Sequence, residues 1–203
     1  MHLGALVVAV PAGVVLIWRY GRGDGIVVYA LGLVGLYAVS ATYHLGSWTP
    51  TSRRRMGKAD HAMIFLFIAA TATPYCLLGV PGGFSDVVLG LVWLGACAAV
   101  WTVATRFETS RGRISVAYIV LGWLAVVTLP SAVRHFSAWQ VAMVASMGLC
   151  YTAGACVLAT KRPNPSPRVF GYHEVWHTMV VLASTCGFLL IWSLASASMT
   201  THP

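Results

Sequence analysis

Residues 25–52 read GIVVYALGLVGLYAVSATYHLGSWTPTS, without one Asp, Glu, Lys or Arg. A helix needs about 20 mostly apolar residues to cross the hydrocarbon core of a bilayer. This run supplies them. Five further uncharged runs follow at 61–85, 87–105, 114–133, 135–160 and 175–203. A shorter candidate, Leu3–Trp18, precedes them, with Arg19 placed to snorkel to the headgroups. Membrane-spanning strands would need segments of about ten residues alternating in polarity. These runs are continuously apolar, so helices are expected.

The whole chain agrees with its runs. Of 203 residues, 58% are hydrophobic and 9% charged, whereas a soluble domain carries roughly 25% charged residues. Soluble globular, disordered, fibrous and disulfide-scaffold classes are thereby excluded. The expected fold is all-α: one domain, 1–203, forming a seven-helix transmembrane bundle. Its spans are placed at about 3–20, 25–46, 58–80, 84–106, 113–133, 137–160 and 171–195. Gly21-Arg22-Gly23-Asp24, Pro50 with Arg53-Arg54-Arg55, Pro81-Gly82-Gly83 and Pro163-Asn164-Pro165-Ser166-Pro167 supply the breaks. The first run lacks a basic start and a clear cleavage site, so it reads as a retained helix. The chain begins almost inside that helix, which suggests a true start upstream.

The net charge of +8 reflects topology rather than a nucleic-acid partner. Ten basic residues, Arg53, Arg54, Arg55, Lys58, Arg106, Arg111, Arg113, Lys161, Arg162 and Arg168, fall in the loops after even-numbered spans. Three, Arg19, Arg22 and Arg134, fall on the opposite side. The positive-inside rule then predicts a cytoplasmic N-terminus and an exoplasmic C-terminus, in a multi-pass protein of the cell membrane. The five cysteines, Cys76, Cys97, Cys150, Cys156 and Cys186, lie in apolar runs without C-x-x-C spacing and read as small buried apolar residues. Trp18, Trp48, Trp101, Trp139 and Trp192 lie near span ends and read as interfacial anchors.

Ionisable residues within membrane spans are costly and mark functional sites by default. Ser40 and His44 lie near the end of span two, Asp60 and His61 at the start of span three, and His173, Glu174 and His177 at the start of span seven. Alternating span directions put all of them in one layer, at the cytoplasmic side. His173 and His177 are four residues apart and so share a helix face. With His44 they offer three nitrogens to a zinc ion and leave a fourth position for water, the pattern of a catalytic site. Asp60 is placed to hold that water and shuttle its proton. Ser40 is placed to hydrogen-bond the cluster or a developing oxyanion.

Competing readings attach to several of these residues. Asp60 also suits the N-terminal cap of span three. Ser40 also suits helix packing. His173-Glu174-Val175-Trp176-His177 matches H-E-x-x-H, in which the glutamate is a general base. His61 reads as interfacial or as a neighbour of the site. His2, His135 and His202 lie near ends or loops and carry no signal. A retinal protein would need a lysine within span seven, and Lys58 and Lys161 both lie in loops.

Four motifs, taken together, extend beyond these arguments. Ser40-Ala41-Thr42-Tyr43-His44, Asp60-His61-Ala62-Met63-Ile64-Phe65, Thr71-Ala72-Thr73-Pro74 and Gly171-Tyr172-His173-Glu174-Val175-Trp176-His177 resemble those of bacterial hemolysin III proteins. These belong with the progestin and adiponectin receptor family and are distantly similar to alkaline ceramidases. The resemblance covers almost the whole chain. It implies seven helices with a cytoplasmic N-terminus, Zn2+ on His44, His173 and His177, and Ser40 and Asp60 beside the metal. It further implies hydrolysis of a lipid amide or ester at the inner leaflet, so that the expected partners are membrane lipid and a lipid-like substrate. The alternative is a non-enzymatic pore, or a sensor with structural zinc. Polarity confined to one leaflet argues against the pore. Lys58-Ala59 stand before Asp60 where relatives often carry Arg and Leu.

Overall fold

The computed structural model describes residues 2–21, 25–80, 82–106 and 111–201, without the side chains of 111–113, 200 and 201. Arg22, Asp24, Pro81 and His202, named above, lie outside the described residues, as do the side chains of Arg111 and Arg113. Among the described residues the chain is helical and forms no strand. The helices are α1 (His2–Tyr20), α2 (Ile26–Leu45), α3 (Pro50–Gly79), α4 (Gly83–Thr105), α5 (Arg111–Leu124), α6 (Leu129–Ala132), α7 (Ala138–Thr160) and α8 (Tyr172–Thr201). A 3-10 turn, Ala125–Thr128, joins α5 to α6, so these three pieces make the fifth span, Ile114–Ala132. α7 and α8 are the sixth and seventh. Seven helices of the described residues are thus long and apolar enough to cross a membrane.

α3 differs most from the sequence expectation. It begins at Pro50, not near residue 58, because Thr49 caps it: its hydroxyl accepts the Ser52 N–H at 3.3 Å. Proline at the first helical position loses only an N–H that had no helical partner. Arg53, Arg54 and Arg55 are therefore not loop residues but exposed positions on the opening turns of α3. The fifth span breaks where the Thr128 hydroxyl donates to the Ala125 carbonyl at 2.7 Å and meets the Tyr75 hydroxyl at 3.1 Å.

α3 is also the centre of the bundle. Its apolar window is 61% buried, against 22% for α1, α4 and α7. One face of α3 joins a core built with α1, α2, α7 and α8, including Leu16, Tyr29, Phe67, Trp176 and Leu190. Its other face, with Phe65, Ala69 and Ala72, packs against Val88, Val92 and Ala96 of α4 and Tyr118 of α5. The outer helices turn large apolar side chains outward: Val7, Val14 and Trp18 on α1, and Leu91, Leu94 and Trp101 on α4. Such a surface suits acyl chains, not water. Cys97 and Cys156 share that exposed surface and are not buried as expected. Trp18, Trp101 and Trp139 are exposed, while Trp192 packs edge-on against Tyr20 with ring centroids 5.0 Å apart.

In lipid, helices gain little from apolar burial alone and associate through close packing at small residues. An added Cβ at Gly32 of α2 would stand 2.7 Å from the Ala70 Cβ of α3. One at Gly95 of α4 would stand 2.7 Å from the Leu121 side chain, and one at Gly154 of α7 3.0 Å from the Met179 Cβ of α8. These approaches set the spacing of the helices that carry the polar residues.

Candidate metal centre

Two of the site histidines come from the first turns of α8. Its start is pinned by neighbouring polar groups: Glu174 Oε2 accepts the Gly171 N–H at 2.8 Å, and Asn164 Oδ1 accepts the Tyr172 N–H at 3.0 Å. Glu174 thus caps α8 in the manner of a helix-starting carboxylate. From this start, His173 and His177 face the same way, with Nε2 atoms 3.1 Å apart. His44 arrives from the last turn of α2, and its ring centroid lies 5.1 Å from that of His173 and 5.5 Å from that of His177.

The fourth member is His2, which the sequence reading set aside. Its ring stacks on His44 with centroids 4.1 Å apart and planes 19° from parallel, and meets His177 edge-on at 4.3 Å. One ring nitrogen from each of His2, His44, His173 and His177 falls in a group whose members all lie within 4.8 Å of one another. The signal that would have found His2 is the layering argument itself. α1, α3 and α8 all start at the same end of the bundle, so His2 belongs to the layer of Asp60 and His173. His135 lies between the fifth and sixth spans, at the opposite end.

Asp60 stands ten residues after Pro50, deep in α3 and buried. The cap of that helix is Thr49, so capping does not explain Asp60. Ser40, one turn before His44 on α2 and also buried, lines the same cavity as Asp60. Ser40 Oγ in turn lies 3.1 Å from His2 Nδ1. Ser40 is therefore tied to the histidine group through His2, rather than serving only as a packing residue. His61 Nδ1 lies 2.9 Å from the Gly57 carbonyl of its own helix.

The donor set fits a metal ion. Neutral imidazoles are zinc's usual nitrogen ligands; at bond lengths of about 2.0–2.1 Å in a tetrahedron, neighbouring nitrogens stand about 3.4 Å apart. The His173–His177 pair is already near that spacing. His44 Nε2 is buried and has no hydrogen-bond partner among the described residues. A buried imidazole nitrogen without a partner is costly, and a shared cation would satisfy it. The group of four histidines can hold a metal.

A cavity of about 170 Å³ opens beside these residues. Ser40, Asp60, His173 and His177 line its polar end. The remainder is largely apolar and runs between α3, α5 and α7, past Phe67, Val126 and Met147. It resembles a ligand site in form, an apolar hollow with a few convergent polar groups.

Comparison with known proteins agrees with the four motifs. Residues 1–188 match the family described as "Haemolysin-III related". The chain is 26% identical to "Hemolysin-3" of Bacillus cereus over 204 residues, covering 97% of this chain and 90% of that protein. It is 24% identical to the "Hemolysin-3 homolog" of Bacillus subtilis (strain 168) over 198 residues, 94% and 89% of the two chains. It is also 24% identical to the human "Monocyte to macrophage differentiation factor" over 177 residues, 85% and 71% of the two chains. With its seven apolar helices, the chain is a multi-pass membrane protein and belongs to the Haemolysin-III related family.

Proposed function

We propose that this protein is a zinc-dependent hydrolase of a lipid amide or ester, working at the cytoplasmic leaflet. The observation that supports this reading most is the meeting of imidazole nitrogens from α2 and α8 with buried Ser40 and Asp60 at the polar end of an apolar cavity.

In this reading His44, His173 and His177 hold the metal. When bound, zinc supplies Lewis acidity, polarising a carbonyl and bringing the pKa of water to about 7. Asp60 takes the proton of the water that attacks the carbonyl carbon and returns it to the departing nitrogen or oxygen as the amide or ester bond breaks. The Ser40 hydroxyl orients the Asp60 carboxylate towards the histidines. The apolar part of the cavity takes an acyl chain and keeps bulk water from the reacting carbonyl. The N-terminus and the basic residues of α3 face the cytoplasm, where they draw anionic headgroups.

Metal content and hydrolysis test this together. Purified wild-type protein is expected to hold about one zinc per chain, lost in His173→Ala/His177→Ala. Asp60→Asn is expected to keep its zinc and lose hydrolysis of ceramide-like or phospholipid substrates by at least about a hundredfold, the scale of general acid–base catalysis. Full turnover by Asp60→Asn, or membrane conductance that persists without the histidines, would overturn the hydrolase reading.

A further inference from the structure

We propose that His2 is a fourth nitrogen donor to the metal, held in place by Ser40, so that the site rests in a closed four-nitrogen form. This rests on the metal-site reading above and concerns its resting state. The argument starts from hydrogen-bond bookkeeping. A serine hydroxyl has one proton to give. If that proton goes elsewhere, Ser40 Oγ can only accept from His2 Nδ1, 3.1 Å away. Nδ1 of His2 then carries the proton, and Nε2 is left as a bare acceptor.

That is the state in which a histidine binds a metal. A ligating imidazole typically gives its other N–H to a neighbouring oxygen, which fixes its tautomer and its ring orientation. The Ser40 hydroxyl does both for His2. In this assignment Nε2 is the nitrogen that joins the group of His2, His44, His173 and His177, whose members each offer one ring nitrogen within 4.8 Å of the others. His44 Nε2, against whose ring His2 stacks, lacks a hydrogen-bond partner among the described residues.

The consequence is chemical. A zinc with four protein ligands is closed, whereas a catalytic zinc keeps a position for water or substrate. His2 would therefore have to leave before a carbonyl could enter. It stands in the first turn of α1, whose window is among the least buried of the seven spans.

The test counts imidazoles on zinc by X-ray absorption in the detergent-purified full-length protein, with any tag at the C-terminal end. Wild type is expected to give four, and His2→Ala three with an added oxygen neighbour. Zinc affinity, measured by competition with a chromophoric chelator, is expected to fall at least tenfold in His2→Ala. His2→Phe separates ligation from packing: it keeps a ring on His44 and lacks the nitrogen. It is expected to behave as His2→Ala. Three imidazoles in wild type, or wild-type affinity in His2→Phe, overturns the proposal for His2 and leaves the three-histidine site standing. No zinc in wild type overturns both.

Discussion

A carboxylate buried within a membrane bundle is costly unless its charge is held or used. Asp60 shares its cavity with Ser40, whose Oγ lies 3.1 Å from His2 Nδ1. Ser40→Ala breaks the contact with His2 while leaving His44, His173 and His177 in place. It is expected to keep metal binding but weaken zinc affinity by about ten- to a hundredfold, the usual cost of losing a group that orients a ligand. Chelator competition measures it. Glu174 is the contrasting residue. It sits in an H-E-x-x-H string, yet its Oε2 is spent on the Gly171 N–H. Glu174→Ala is expected to lower the thermal midpoint through loss of a cap, about 0.5–2 kcal/mol, with metal content and turnover unchanged. A hundredfold loss of turnover with zinc retained would instead make Glu174 the base.

At the scale of the element, the site depends on how closely α2 and α8 approach α3. Two devices hold them. The Tyr37 hydroxyl of α2 meets Ser184 of α8 at 2.6 Å, a bond worth on average about 0.6 kcal/mol between membrane helices. Gly32 of α2 rests against α3 with no room for a Cβ beside Ala70. Overpacking such a contact costs about 1–3 kcal/mol, so backbone proximity outweighs the hydrogen bond. Gly32→Val is therefore expected to lower the thermal unfolding midpoint in detergent more than Tyr37→Phe. It should also weaken zinc binding, because His44 and Ser40 ride on the same helix. Equal midpoints for the two variants would show that α2 and α3 have slack between them.

At the scale of the whole molecule, the alternation of seven spans gathers ten basic residues at the end of the bundle that carries the histidines. The positive-inside rule predicts that this end faces the cytoplasm. Single cysteines at Arg54 and Arg134 test it in intact cells, with wild type as the background for its own five thiols. A membrane-impermeant maleimide is expected to label Arg134→Cys and to reach Arg54→Cys only after permeabilisation. The reverse pattern would put the metal site on the outside and remove the case for inner-leaflet substrates.

Composition and periodicity determined the class of this protein, because a continuous apolar run of membrane length has few other stable uses. They also determined the layer in which the polar residues lie, since span direction alternates and depth follows from position in the span. His44, Asp60, His173 and Ser40 were legible for that reason. Contact was not legible, because depth gives one coordinate and rotation of each helix gives the other. Helix rotation is set by packing between neighbours, such as Gly32 on Ala70 and Gly154 on Met179. Only the tertiary structure therefore turned Ser40 to His2, placed the cap of α3 on Thr49, and brought His2 from the start of α1 onto the ring of His44.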